Sequence, residues 1–110
     1  MNFDQYMEAA AKTAIYPNDG LEGVLYTSLG LVSEAGEVAG KVKKMLRDDK
    51  GKVTFEKAEA IHAELGDVLW YCAMIAHELG FSLQDVAEAN IKKLADRMSR
   101  GAIKGSGDNR

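Results

Sequence analysis

Apolar positions along the chain recur every three or four residues, the spacing of one helix face, and no stretch alternates apolar with polar residues for long. A first helix is predicted over about Phe3–Thr13. Tyr16-Pro17-Asn18-Asp19-Gly20 follows as a loop, because proline lacks a backbone donor and glycine favours turn geometry. A second helix runs from about Leu21 to Leu46 and gives way to the polar turn Asp48–Lys52. Thr54 suits the N-cap of a third helix, which ends at Leu79 with Gly80 as its C′ residue. Ser82 starts a fourth helix, with Asp85 three residues on as in a capping box, and this helix stops near Arg100-Gly101. Val53–Phe55 is β-prone but too short for a strand.

These elements predict an all-α fold, an antiparallel four-helix bundle in one domain over residues 1–110. The tail, residues 101–110, is rich in glycine and polar residues and is expected to be mobile unless it binds something. The two central helices are each roughly 26 residues and so about 39 Å long. A 110-residue chain buries too small a core to cover both. The bundle is therefore expected to be completed by oligomerisation, as a homodimer or a homotetramer.

Helical angles place the chemistry. At roughly 100° per residue from Glu64, the apolar stripe Ile75, Val68, Ile61, Leu79, Cys72 and Leu65 spans about 20–100°. Asp67 falls at about 300° and Tyr71 at about 340°, so Glu64 and Asp67 share one flank of that stripe. The second helix repeats the pattern. From Glu34, the residues Met45, Val38, Leu31, Val24 and Val42 span about 20–80°, and Glu37 falls at about 300°. If the two flanks face each other, four carboxylates converge. Carboxylates that close repel unless a cation or protons sit among them, and an all-oxygen set suits Mg²⁺ or Mn²⁺. Gly36 and Gly66 each cost about 1 kcal/mol inside a helix, which points to a close helix or ligand approach there. On the fourth helix, Asn90, Lys93 and Arg97 share a flank and carry donors suited to phosphate oxygens.

Composition narrows the classes. With 46% hydrophobic and 28% charged residues, the chain is too apolar for disorder. The single Cys72 excludes an internal disulfide and a cysteine-based zinc site, and with it a reducing, cytoplasmic setting is expected. No apolar run reaches membrane-spanning length, and Met1–Ala14 carries Asp4 and Glu8 without the basic start of a signal peptide. The net charge of −3 gives no basis for nucleic-acid binding. Residues 92–110 are nonetheless basic, with Lys92, Lys93, Arg97, Arg100, Lys104 and Arg110 against Asp96 and Asp108. An acidic body with a basic end suits a metal-plus-phosphate site.

Ser33-Glu34-Ala35-Gly36-Glu37-Val38, then Glu64-Leu65-Gly66-Asp67-Val68, then Asn90-Ile91-Lys92-Lys93-Leu94 with Arg97, resemble the MazG-like all-α nucleoside triphosphate pyrophosphohydrolase family. The resemblance covers about residues 20–100. It implies Mg²⁺-dependent hydrolysis of a (deoxy)nucleoside triphosphate to monophosphate and pyrophosphate, in the manner of nucleotide-pool housecleaning. It assigns Glu34, Glu37, Glu64 and Asp67 to metal binding, and Asn90, Lys93 and Arg97 to the substrate. Many members carry a further Glu where this chain has Ser33, so water activation falls to another carboxylate, with Glu34 and Glu37 the candidates. Tyr71, between the two acids of its helix in angle, is placed to stack on the base or ribose. Trp70, at about 240°, is expected at a subunit interface or base pocket rather than in the protomer's own core.

Other signals carry less. Glu59-Ala60-Ile61-His62 has the spacing of a di-iron ligand pair, but such sites use two copies. His62 and His77 point away from the acids, and no glycine-rich phosphate loop is present. The rival class is a non-enzymatic helical module that binds a partner through an apolar face and needs no metal.

Overall fold

In the computed structural model, which describes residues 1–110, four helices account for all regular structure: α1 (Phe3–Ala11), α2 (Glu22–Asp48), α3 (Phe55–Leu79) and α4 (Leu83–Ser99). The fold is all-α, as the periodicity requires. Local chemistry sets the boundaries. Asn2 and Gln5 form a reciprocal capping box at the start of α1, each side chain accepting from the other's backbone N–H at 2.8 Å. Thr54 accepts from the Lys57 N–H to open α3, and Gly80 closes it at φ 75°, a left-handed conformation that costs glycine little. Ser82 accepts from the Asp85 N–H to open α4.

The backbone of the molecule is the α2–α3 hairpin, turned through Lys50 (φ 55°) and Gly51 (φ 74°). Its seam is laid out in steps of seven residues. Gly23 leaves room for the Glu78 carboxylate, and Gly30 for the Tyr71 ring, each at a point where a Cβ would overlap its partner. By helical angle, Gly23, Thr27, Gly30, Glu34 and Lys41 all lie on one strip of α2, beside Glu37. The acid-bearing flanks therefore meet at the seam, and the apolar stripes are turned out of it to one side.

On one side of the hairpin, α1 covers Ala73, Met74 and Ala76 through Tyr6, Met7, Ala10 and Ala11. Asp4 ties α1 to α4, accepting from the Ser82 hydroxyl at 2.8 Å and the Gln84 N–H at 3.1 Å, where its charge also favours the helix N-terminus. Beyond that junction α4 packs on α1 and on the end of α3, and it does not touch α2. The hairpin's other side is open. Leu31, Cys72, Ile75, Leu79, Phe81, Leu83 and Val86 line a wholly apolar groove of about 350 Å³ between the hairpin and α4.

The outline matches this openness. The radius of gyration is 16.9 Å, against about 13 Å for a compact chain of this length. Only nine residues are buried. No helix is long and apolar enough to cross a membrane. The segment expected as a mobile tail is tied to α4 by Arg97, which donates to the Asp108 carbonyl, and to itself by the Arg110 guanidinium, which donates to the carbonyls of Ala102, Ile103 and Gly107.

Trp70 corrects its expectation. It is half-buried against the protomer's own core, edge-on to Tyr16 at 6.2 Å and to Tyr71 at 5.0 Å, and its indole N–H donates to the Thr13 hydroxyl at 2.9 Å. Its face of α3 is covered because α1 and the Thr13–Tyr16 segment lie over it, which periodicity within α3 alone does not reveal. Gly36 and Gly66 likewise meet nothing within 4 Å, so close helix contact in the protomer is not their reason.

Candidate functional site

Two turns of α2 and one of α3 build the site. Glu34 comes from α2, and Glu64 and Asp67 lie one turn apart on α3. One carboxylate oxygen from each lies within 4.8 Å of those from the other two. Antiparallel pairing makes this possible: a Glu-x-x-Glu on one helix meets a Glu-x-x-Asp running the other way, and the Gly30–Tyr71 contact one turn on sets the spacing.

The facing carboxylates perturb one another, and an ammonium offsets part of their charge. Glu34 and Glu64 share a hydrogen bond, which pushes the Glu34 carboxyl above its usual range; partial burial and the charges of Asp67, Glu64 and Glu37 act in the same direction. Glu64 is held below its usual range, first by the Lys41 ammonium and then by the Glu34 hydrogen bond. Lys41 donates to Glu64 Oε1 at 3.0 Å and lies 3.7 Å from Glu37 Oε2. Glu37 thus stands at the rim, outside the three-acid cluster and linked to it through Lys41.

The donor set fits a hard divalent cation. Three carboxylates that each bring an oxygen within 4.8 Å of the others supply the hard, anionic oxygen donors that Mg²⁺ or Mn²⁺ prefers. An ammonium already resting on Glu64 marks the spot as one that favours positive charge.

The remaining expected residues are placed differently. Tyr71 lies on Gly30 and borders Tyr26, Glu34 and Asp67; burial, then Tyr26, raises its hydroxyl pKa. It fills the seam beside the acids. Tyr26 in turn stacks on Tyr16 at 5.0 Å, with the planes 9° apart, so an aromatic run leads away from the cluster. Asn90 and Lys93 are exposed on α4 and make no hydrogen bond or ion pair with the acids. Arg97 is buried, 7% exposed, with its guanidinium donating to the Asp108 carbonyl at 2.6 Å. Within one protomer the basic flank of α4 and the acidic seam do not meet.

Sequence reasoning missed Lys41, Gly23 and Gly30. The signal was available: all three fall within about 40° of Glu34 on α2. Lys41 reads as an ordinary surface cation until the facing helix is known.

Residues 23–101 match a known protein family, described as the MazG nucleotide pyrophosphohydrolase domain. The chain is 51% identical to the Gene 37 protein of Mycobacterium phage L5, with both chains covered completely. It is 35% identical to the uncharacterized protein YvdC of Bacillus subtilis (strain 168), over 61% of this chain and 68% of that one. No solved structure matches. The matched span begins at Gly23 on the seam, encloses both acid pairs and closes just after α4, and the chain belongs to the MazG nucleotide pyrophosphohydrolase family.

Proposed function

We propose that the protein hydrolyses a (deoxy)nucleoside triphosphate, with water, to the monophosphate and pyrophosphate, using Mg²⁺ or Mn²⁺. The observation that carries this reading is the three-carboxylate cluster of Glu34, Glu64 and Asp67 across the seam of a chain in this family. A divalent cation bound there would neutralise phosphate charge and lower the pKa of water. Glu34, Glu64 and Asp67 would hold it. Glu37, at the rim and outside the cluster, is left to orient a water and take its proton, with Glu34 as the other candidate base. Tyr71 and Tyr26 form the wall next to the acids, where a ribose or base edge would rest. The role we assign is housecleaning of the nucleotide pool.

The site is read as complete only in an oligomer. The open apolar groove and the expanded outline support a second copy seated on the hairpin. Asn90 and Lys93 of that copy's α4 are then the candidates for holding phosphate oxygens. Arg97 would join them once released from the Asp108 carbonyl. The groove also favours a second reading, a helical module that docks another protein and needs no metal. A pyrophosphate-release panel of canonical and modified nucleoside triphosphates, with and without Mg²⁺, separates the two. The enzyme reading expects metal-dependent release from at least one of them; no release from any would leave the docking module.

A further inference from the structure

Lys41 is the one basic residue that forms an ion pair with the acids of the seam. It lies two turns from Glu34 on the same strip of α2, so its side chain reaches Glu64 from the opposite end. Glu64 thereby lies between Glu34 and Lys41, and the ammonium rests on one of its two carboxylate oxygens. Glu64 is only 18% exposed and Lys41 26%, so the pair is partly shielded from solvent and its attraction exceeds that of a surface ion pair. A dication entering between Glu34, Glu64 and Asp67 meets this ammonium at 3.0 Å from one of its own ligands.

We propose that Lys41 is a built-in placeholder cation: it occupies Glu64 until a divalent metal ion displaces it, and the freed ammonium then faces the polyphosphate. The inference rests on the pyrophosphohydrolase reading above. It assigns to one residue both the stability of the empty site and part of the charge that meets the substrate. Glu37, 3.7 Å away on the same helix, keeps the displaced ammonium close.

The test uses Mn²⁺ alone, with the full chain at pH 8, and reads affinity by calorimetry. Lys41→Met keeps the length of the side chain and removes its charge. It should bind Mn²⁺ at least about fivefold more tightly than wild type, the least that one unit charge about 4 Å away contributes in water. Lys41→Arg should stay near wild type. Lys43→Met, with the same loss of net charge away from the seam, should also stay near wild type. In wild type, acetylation of Lys41, read by peptide mass spectrometry, should rise when Mn²⁺ is added. Equal Mn²⁺ affinity in Lys41→Met and wild type, or acetylation indifferent to Mn²⁺, overturns the proposal. Absence of Mn²⁺ binding in both proteins overturns the metal reading and the proposal together. Displacement of Lys41 by Mn²⁺ with no nucleotide turned over leaves the proposal standing and removes only the pyrophosphohydrolase reading.

Discussion

At the scale of single residues, the site sets three facing carboxylates against one ammonium. Glu34 holds its proton more tightly than a free glutamic acid, because Glu64 accepts a hydrogen bond from it and three carboxylates surround it. A carboxyl whose pKa is raised by folding stabilises the fold while protonated, and that contribution is lost as pH rises through the raised value. Glu64 acts oppositely: its lowered pKa favours the fold above the usual glutamate range and is lost as pH falls. Glu34→Gln keeps a hydrogen-bond donor for Glu64 and removes the titration. Without metal, thermal melts should show Glu34→Gln more stable than wild type at pH 8 and equal to it near pH 4. A variant less stable at pH 8 would mean that the Glu34–Glu64 contact is not repulsive when ionised.

At the scale of elements, the two classes of helical glycine should behave in opposite ways. Gly30→Ala drives a methyl into the Tyr71 ring, and overpacking of that kind costs about 1–3 kcal/mol. Gly36→Ala meets open space and should gain up to about 1 kcal/mol of helix propensity. Chemical denaturation of the two variants checks this, and a stabilised Gly30→Ala would overturn the seam. The helices and their ends were legible in the sequence because Thr54, Gly80 and Ser82 act locally, on backbone groups within four residues. The approach of Glu34 to Glu64 and Asp67 was legible too, since one pattern recurs thirty residues on and an antiparallel turn brings the copies together, whereas Glu37, expected as a fourth member, stands outside the cluster. Trp70, Gly23, Gly30 and Lys41 were not, because each is explained by a partner on another helix, and single-helix periodicity holds no such information.

At the scale of the whole molecule, a hairpin with charge in its seam has little apolar surface left to close on itself. Leu31, Ile75, Leu79 and Val86 end in an open groove, and Leu29 (71% exposed) and Val32 (72% exposed) mark a second apolar strip on the outer side of α2. Light scattering should therefore give a multiple of the 12.0 kDa chain mass, two copies through the groove or four if the outer strip also pairs. Val86→Asp should push the assembly towards monomer while sparing α4, because an acid near a helix N-terminus is tolerated. A wild-type monomer that is stable and active at micromolar concentration would contradict this.

In the function we propose, carboxylates facing across the α2–α3 seam hold the metal that drives pyrophosphate release. The most direct measurement compares Mg²⁺-dependent pyrophosphate release by wild type, Glu64→Ala and Asp67→Ala, with helicity followed by circular dichroism. Both residues are placed as metal ligands, so their loss should cost more than the roughly 10–100-fold typical of outer-shell partners. Wild type should yield monophosphate and pyrophosphate in equal amounts, and both variants should fall more than about 100-fold while remaining helical. Full Mg²⁺-dependent turnover by both variants would contradict this reading.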